Sequence, residues 1–310
     1  MPCSLIRGNV MENSEAKIKP LLQVSGVRVL QGAVLLLLVG GVATWWLLDE
    51  LEHSRLQARY FAGVARDATY RVQPGPSQAI RYPQPGGPYD VRLGYAQLPQ
   101  FVQRLQQRGY QVHSQAVQSQ PMLALAEHGI TAPLLPLGLF VPYAEKDQAG
   151  LTLADSRGQP LYQSRFPQRV YADFAALPPL LVDSLLYIEN RTLLQQESPT
   201  RNPTVEWSRL GKAVFDKATH VFSPGYRPAG ASTLATQIEK YRHSPGGRTA
   251  SEQEKLRQML SASVRAYRFG EDTLTARRQL VLRYLNTVPL AARPGIGEIA
   301  GIGDGMWAWY

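Results

Sequence analysis

A single long apolar segment constrains this chain more than any other feature of its sequence. From Val29 to Leu48 only Gln31 and Thr44 are polar. About 20 residues of α-helix span the roughly 30 Å hydrocarbon core of a bilayer. The segment therefore predicts one transmembrane helix over residues 29–48.

The charges on either side of this segment differ in sign. Lys17, Lys19 and Arg28 precede it, and Asp49, Glu50 and Glu52 follow it directly. Because cytoplasmic flanks are enriched in Lys and Arg, residues 1–28 are predicted to be a cytoplasmic tail. A cleaved signal peptide is the alternative. It is disfavoured because the apolar stretch is long and Trp45 and Trp46 stand where a small-residue cleavage site belongs.

The composition of the chain limits which classes of partner and cofactor are expected. The net charge of +9 suits an anionic partner such as a phosphate or a membrane surface. A nucleic acid is not favoured, because the domain is predicted to face away from the cytoplasm and carries no basic–aromatic binding motif. The chain has one cysteine, Cys3, and five scattered histidines. Neither a disulfide nor a zinc site is therefore expected, and no cofactor is predicted.

Residues 49–150 are predicted to form a linker and a small α+β module. Leu51–Ala68 indicates a polar continuation of the helix, and Gln73–Pro88 indicates an exposed loop rich in Pro and Gly. Leu98–Gly109 has helical periodicity with a glycine stop. Tyr110–Ala116 is typical of a short strand.

The remaining residues, 151–310, are predicted to form a mainly α-helical domain. It opens with a hairpin, Leu151–Leu161, and Pro178-Pro179 then starts a helix. The buried face of that helix is predicted to comprise Leu180, Leu181, Ser184, Leu185 and Ile188. The last residues resemble the inside of an element, so the domain is expected to continue beyond Tyr310.

Two segments of this domain contain groups suited to catalysis and anion binding. Glu189 lies between the apolar helix and a polar loop, where a carboxylate can serve as a general base, although most glutamates at helix ends are simply solvated. In Gly230–Lys240, a Gly-containing loop leads into a helix whose free N–H groups suit an anion. Plain N-capping by Ser232 or Thr233 is the alternative. Gln237 and Lys240, three apart, share a helix face.

A third segment is a basic helix. Ser251-Glu252-Gln253-Glu254 fits a capping box that opens a helix to about Arg268. Lys255 and Gln258 lie one turn apart, and Arg257 is predicted to point elsewhere. Residues 240–283 contain ten Lys/Arg and four Asp/Glu, and most of these cations are expected to be solvated.

Four motifs occur in order: Glu189-Asn190, Gly230-Ala-Ser-Thr-Leu-Ala-Thr-Gln237-x-x-Lys240-Tyr241, Lys255-x-x-Gln258 and Tyr284-Leu285-Asn286. Together they resemble glycosyltransferase family 51, the transglycosylase domain of class A penicillin-binding proteins. Its pattern is Glu-Asp-x-x-Phe-x-x-His, Gly-Gly-Ser-Thr-Ile-Thr-Gln-Gln-x-x-Lys-Asn, Lys-x-x-Glu and Tyr-Leu-Asn. The resemblance implies a lysozyme-like helical fold beside the inner membrane of a bacterium, preceded here by the α+β module and the transmembrane helix.

The resemblance also implies an activity, the polymerisation of lipid II or a related lipid-linked sugar into glycan strands. Glu189 would be the catalytic base. Binding of the pyrophosphate and the donor would fall to a set of polar residues: Ser232, Thr233, Gln237, Lys240, Arg242, Lys255 and Asn286. Partners would be lipid II, the glycan strand, the membrane and other cell-wall synthesis proteins. A divalent cation assists some members of the family, but this sequence shows no metal-ligand spacing.

Several positions depart from the family pattern. The second family glutamate aligns with Gln258, and Glu254, one turn earlier, is the candidate to replace it. The Phe and His of the first motif are absent, and Glu206 is a further candidate acid or base. Three hypotheses follow: a working glycosyltransferase, a catalytically impaired relative that binds or scaffolds in cell-wall assembly, and a glycan-cleaving enzyme.

Overall fold

The structure, a computed structural model, describes residues 26–82, 87–88, 97–128, 139, 145–207 and 232–310. The helices are α1 Gly26–His53, α2 Arg55–Asp67, α3 Leu98–Gln107, α4 Gln120–His128, α5 Pro179–Glu189, α6 Leu234–His243, α7 Glu252–Ala266, α8 Leu274–Thr287 and α9 Ile302–Trp309. The strands are β1 Tyr70–Pro74, β2 Ser114–Gln118, β3 Ala149–Ala154 and β4 Pro160–Phe166. The predicted mainly α-helical fold is confirmed.

The first helix contains the apolar segment. Leu30–His53, 24 residues, is long and apolar enough to cross a membrane by length and composition, tests that a signal sequence also passes. The chain divides into two compact units, residues 1–49 and 50–310.

The helix predicted to continue through Leu51–Ala68 is broken at one residue. Ser54 has a φ of 54°, in the left-handed region, and separates α1 from α2. The Glu50 carboxylate then accepts hydrogen bonds from the backbone N–H groups of Leu56 (2.8 Å) and Gln57 (3.1 Å). These amides lie in the first turn of α2, where an anion is favoured, so the break is stabilised from the preceding helix.

The small module contains an antiparallel strand pair, β1 with β2, in which Tyr70 pairs with Gln118 and Pro74 with Ser114. Two predictions on the limits of these segments were wrong. Gln73 and Pro74 belong to β1 rather than to a loop, and the second strand begins at Ser114 rather than Tyr110, because pairing with β1 sets its limits. Helix α3 and its glycine stop are confirmed, with Gly109 at a φ of 85°.

The module shares a hydrophobic core with the following domain. One buried cluster contains Ala58 and Phe61 of α2, Leu125 of α4, Val264 of α7, and Tyr267, which directly follows α7. The Phe61 and Tyr267 rings stack with centroids 6.0 Å apart. Helices α2 and α4 of the module therefore pack against the end of helix α7.

The predicted hairpin is confirmed as β3 and β4. Its turn closes by a 3.0 Å hydrogen bond from the Gly158 N–H to the Asp155 carbonyl, with Gly158 at a φ of 79°. A second buried cluster joins α5, α6 and α8: Leu177, Val182, Leu193, Leu234, Val281 and Leu285.

The predicted buried face of α5 was wrong. Val182 is 7% exposed, whereas Leu180 is 78% and Ile188 72% exposed. Ser184 is exposed as well, and only Leu181 and Leu185 of the predicted set pack against the core. The helix is apolar on nearly every side, so its sequence period could not select the inner face.

Candidate active site

Glu189 is the last residue of α5 and is half-buried. The helix ends there because the Asn190 side-chain oxygen accepts hydrogen bonds, both at 3.0 Å, from the N–H and the hydroxyl of Thr192. This local turn competes with continuation of the helix. It places the Glu189 carboxylate at the junction between helix and loop.

A side chain from another helix contacts this carboxylate. Gln237 of α6 donates a 2.9 Å hydrogen bond from Nε2 to Glu189 Oε2. No Lys or Arg of the described residues forms an ion pair with Glu189. The structure therefore brings together two of the predicted site residues, 48 positions apart in sequence.

Tyr284 of α8 completes this contact, and the sequence reasoning gave it no role. Its hydroxyl donates a 3.1 Å hydrogen bond to Gln237 Oε1. Burial raises the pKa of Tyr284, and the nearby Glu189 carboxylate raises it further, so the hydroxyl keeps its proton. The only sequence signal was its membership of the Tyr284-Leu285-Asn286 motif.

The start of α6 favours the capping alternative. Thr233 is the N-cap residue: its hydroxyl oxygen accepts from the Thr236 N–H (3.4 Å), and its own N–H donates to Thr236 Oγ1 (2.9 Å). The Thr233 hydroxyl also donates to the Thr204 carbonyl at 3.0 Å. Thr233 is buried and so does not fit the predicted role in substrate binding. Ser232 is half-buried, and Gly230 and Ala231 lie outside the described residues.

The two predicted lysines are partly accessible. Lys240 lies one turn beyond Gln237 on α6, and residues three apart on a helix have Cβ atoms about 5–6 Å apart. Lys255 lies in the first turn of α7. Both are half-buried, and in the described part of the structure neither forms an ion pair. Both can therefore meet an anionic ligand.

Arg242 does not fit the predicted pyrophosphate contact. Its side chain is fully buried and donates to Glu145 (3.1 Å), Asp147 (3.0 Å) and the Thr287 hydroxyl (3.0 Å). A guanidinium held by two acids is not available to a ligand. The acids come from residues 145–147, far away in sequence, so no local pattern could reveal the pairing.

Asn286 also has a structural role rather than the predicted contact with substrate. It is buried, its Oδ1 accepts from the Tyr171 N–H (2.9 Å), and its Nδ2 donates to the Tyr171 carbonyl (3.0 Å). These bonds fix the segment between the hairpin and α5 against the end of α8.

Gln258, which aligns with the second family glutamate, is buried at the junction of α6 and α7. Its Nε2 donates to the hydroxyls of Ser244 (2.8 Å) and Thr249 (3.1 Å) and to Glu254 Oε1 (3.4 Å). Glu254 thus brings a carboxylate into contact with Gln258 from one turn earlier. Position 254 lies about 6 Å before position 258 along the helix axis.

Arg257 holds Glu254 in its ionised form. Burial acts to raise the pKa of Glu254, but hydrogen bonds from Arg257 and Ser244 outweigh it and lower that pKa. The Arg257 Nε lies 2.9 Å from Glu254 Oε2. Arg257, predicted to point away from Lys255 and Gln258, is buried and contacts Glu254 and Ser244, as Gln258 does. Ser251 caps α7 through the Glu254 N–H (3.1 Å), so the capping was predicted correctly, whereas the Glu254 carboxylate is engaged by these other partners.

Among the remaining candidates, Glu206 is half-buried near the end of the described stretch 145–207. No group of three or more His, Cys, Asp or Glu in the described ranges is arranged to hold a metal ion.

Comparison with known proteins adds one finding. Residues 157–310 match the family model described as transglycosylase. The match covers about half of the chain and includes Glu189, Gln237, Glu254 and Gln258. No curated protein and no solved structure matches the chain.

Proposed function

The chain belongs to the transglycosylase family through residues 157–310, and from this premise we propose that it is a peptidoglycan glycosyltransferase with Glu189 as general base. Family membership supports glycosyl transfer in cell-wall synthesis in general. The finer proposal is that the chain polymerises lipid II or a related lipid-linked sugar.

One observation carries the assignment of the base. Only Gln237 among the described residues donates to the Glu189 carboxylate, and it does so at Oε2. The other oxygen is left to accept a proton from a substrate hydroxyl. A general base needs this combination of a fixed carboxylate and an open acceptor position.

The proposed reaction uses the acceptor's 4-hydroxyl as nucleophile. Glu189 takes the hydroxyl proton while the oxygen attacks the anomeric carbon of the growing chain, and the configuration at that carbon is inverted. The bond to the pyrophosphate oxygen breaks, and undecaprenyl pyrophosphate leaves with both electrons of that bond. Lys240 and Lys255 are proposed to stabilise the negative charge that develops on this leaving group.

The proposed location is the inner membrane of a bacterium, with the N-terminus in the cytoplasm and residues 49–310 outside it. The apolar helix Leu30–His53 supports this, because a retained anchor would keep the enzyme at the surface that carries its lipid-linked substrate. Other cell-wall synthesis proteins are proposed partners.

The test is polymerisation of lipid II by the detergent-solubilised full chain. Glu189→Gln is expected to lower the rate by about 10²–10⁴-fold, the usual contribution of a general base. Glu197→Gln, an exposed carboxylate in the loop that follows, is the matched control and should leave the rate unchanged. Full activity of Glu189→Gln would remove the proposed base.

The second candidate is a binding or scaffold protein, favoured by the neutral Gln258 at the position of the second family glutamate. Binding of lipid II without turnover in the same assay would support it. Shortening of finished glycan strands would instead indicate cleavage.

A further inference from the structure

The orientation of the Gln237 amide follows from its two neighbours. An ionised carboxylate only accepts hydrogen bonds, so the NH₂ group of Gln237 must face Glu189. The amide oxygen then faces Tyr284, whose hydroxyl must be the donor in the 3.1 Å contact. Rotating the amide by half a turn would place its oxygen against the carboxylate and its NH₂ against a hydroxyl that could still accept. The rotated amide would therefore lose its hydrogen bond to Glu189, whereas a hydrogen bond with Tyr284 could still form.

The half-buried Tyr284 ring is packed against a second tyrosine. Tyr284 lies on α8 beside the buried Leu285, and its ring contacts that of Tyr241 with centroids 6.5 Å apart. The Tyr241 hydroxyl is itself 2.8 Å from the Thr287 hydroxyl. The raised pKa of Tyr284 keeps its hydroxyl a donor throughout the neutral range.

We propose that Tyr284 is a positioning residue that orients the Gln237 amide and so keeps its NH₂ group on the Glu189 carboxylate. This inference rests on the proposed function. It assigns to Tyr284 no contact with substrate: Tyr284 acts on Gln237, and Gln237 acts on the base.

Other charged or titratable groups stand on the same elements as Glu189, Gln237 and Tyr284 and are kept in the test variants. Arg191 stacks on the Tyr187 ring at 3.9 Å in the same stretch of chain. Lys240 and Tyr241 lie on α6, and Arg283 precedes Tyr284 on α8. Replacing Tyr284 by Phe changes none of these charges. A change in pH dependence would therefore report on the hydrogen bonds from Tyr284 through Gln237 to Glu189.

The decisive measurement is kcat/KM for lipid II polymerisation as a function of pH, compared between wild type and Tyr284→Phe. Without the donor, the amide samples both orientations and stabilises the Glu189 carboxylate less. The acidic limb is expected to move up by about one pH unit. On that limb the rate should fall about tenfold, while the plateau at higher pH stays within about threefold of wild type.

Two further variants separate positioning from packing. Gln237→Leu should move the acidic limb in the same direction, and adding Tyr284→Phe to it should cause no further movement. 3-Fluorotyrosine at position 284 keeps the ring and has a more acidic hydroxyl, which is a stronger donor. It should move the limb to lower pH, and it provides the test if Tyr284→Phe does not fold.

The possible failures are distinguishable. An unmoved acidic limb in the Tyr284 variants, or a full Tyr284→Phe effect in the Gln237→Leu background, overturns the inference while leaving Glu189 as base. A wild-type chain that makes no polymer, or a fully active Glu189→Gln, overturns the proposed function and this inference with it.

Discussion

Gln237 Nε2 lies 2.9 Å from Glu189 Oε2, so the amide of one helix fixes the carboxylate that ends another. Two motifs separated by a long stretch of chain thereby become one site. The same α6 carries Lys240 one turn further on. The helix thus relates the proposed base to a cation for the leaving group.

The relation between Glu254 and Gln258 predicts the outcome of a charge swap. Gln258→Glu would place a second carboxylate beside Glu254 in a buried setting, and we expect it to lower the free energy of unfolding by about 1–3 kcal/mol. The double variant Glu254→Gln/Gln258→Glu restores a single charge and should recover part of the stability and keep polymerisation. Urea unfolding measures the stability of each variant, and the lipid II assay measures its polymerisation rate. A Gln258→Glu variant more stable than wild type would contradict this account.

Arg242 is predicted to act on stability rather than on substrate binding. Arg242→Met leaves the buried Glu145 with only Arg265 and His243 and removes the Arg242 ion pair of the half-buried Asp147. Removal of one member of a buried pair costs about 3–5 kcal/mol. Thermal unfolding should show the loss. Arg248→Met, at an exposed cation nearby, is the control. Normal stability combined with weak binding of lipid II would restore Arg242 as a ligand contact.

The buried Glu145 predicts an acid-sensitive fold. Burial acts to raise its pKa, but Arg265, His243 and Arg242 outweigh burial and hold that pKa well below the ordinary value of 4.5. A lowered folded-state pKa contributes stability that is fully present above pH 4.5 and is lost as the pH falls below it. Urea unfolding as a function of pH measures this slope. Glu145→Gln should flatten it, and an equally steep slope in that variant would assign it to other groups.

Lys240 and Lys255 are predicted to act on the leaving group. Lys240→Met or Lys255→Met should each lower kcat/KM for lipid II by about 10–100-fold, since a hydrogen bond to a charged group contributes about 1.5–3 kcal/mol. Arg248→Met, which also removes one positive charge, should have little effect. Equal losses in all three variants would indicate general attraction to an anionic lipid instead.

Arg277 is predicted to hold the loop after Glu189. It is buried and donates to the carbonyl oxygens of Gln195 (3.0 Å) and Arg201 (3.0 Å), among others in residues 193–201. Burial, together with Arg201, lowers the pKa of Arg277 to about 10. Arg277→Met leaves several carbonyls unpaired, so we expect a loss of roughly 3 kcal/mol in the free energy of unfolding. Arg278→Met, at the exposed neighbouring position, is the control in urea unfolding.

Those parts of the fold that depend on local signals could be predicted from the sequence. The apolar length of α1, the proline start of α5 and the glycine of the β3–β4 turn each act within a few residues. Two predictions on the helices were wrong. Ser54 breaks a helix whose periodicity continues, and the inner face of α5 is chosen by α6 and α8.

The candidate site follows the same division. Glu189 and Gln237 could be named from their motifs, but not the hydrogen bond that joins them. Tyr284 was missed because a tyrosine on a helix has no catalytic signature of its own. The burial of Arg242 and Asn286 could not be predicted, because a motif records which residues recur and not whether they face a ligand or the interior.

The burial of Arg242, Arg257 and Arg277 changes how the positive net charge must be understood. Acids from residues 145–147 and 254 neutralise two of them inside the molecule, and backbone carbonyls surround the third. Three of the ten Lys and Arg residues in residues 240–283 are therefore not part of the surface charge. Capture of an anionic substrate is then expected to depend more on short-range contacts with the half-buried Lys240 and Lys255 than the net charge suggests. Ionic strength should matter less to its association than the sequence composition suggests.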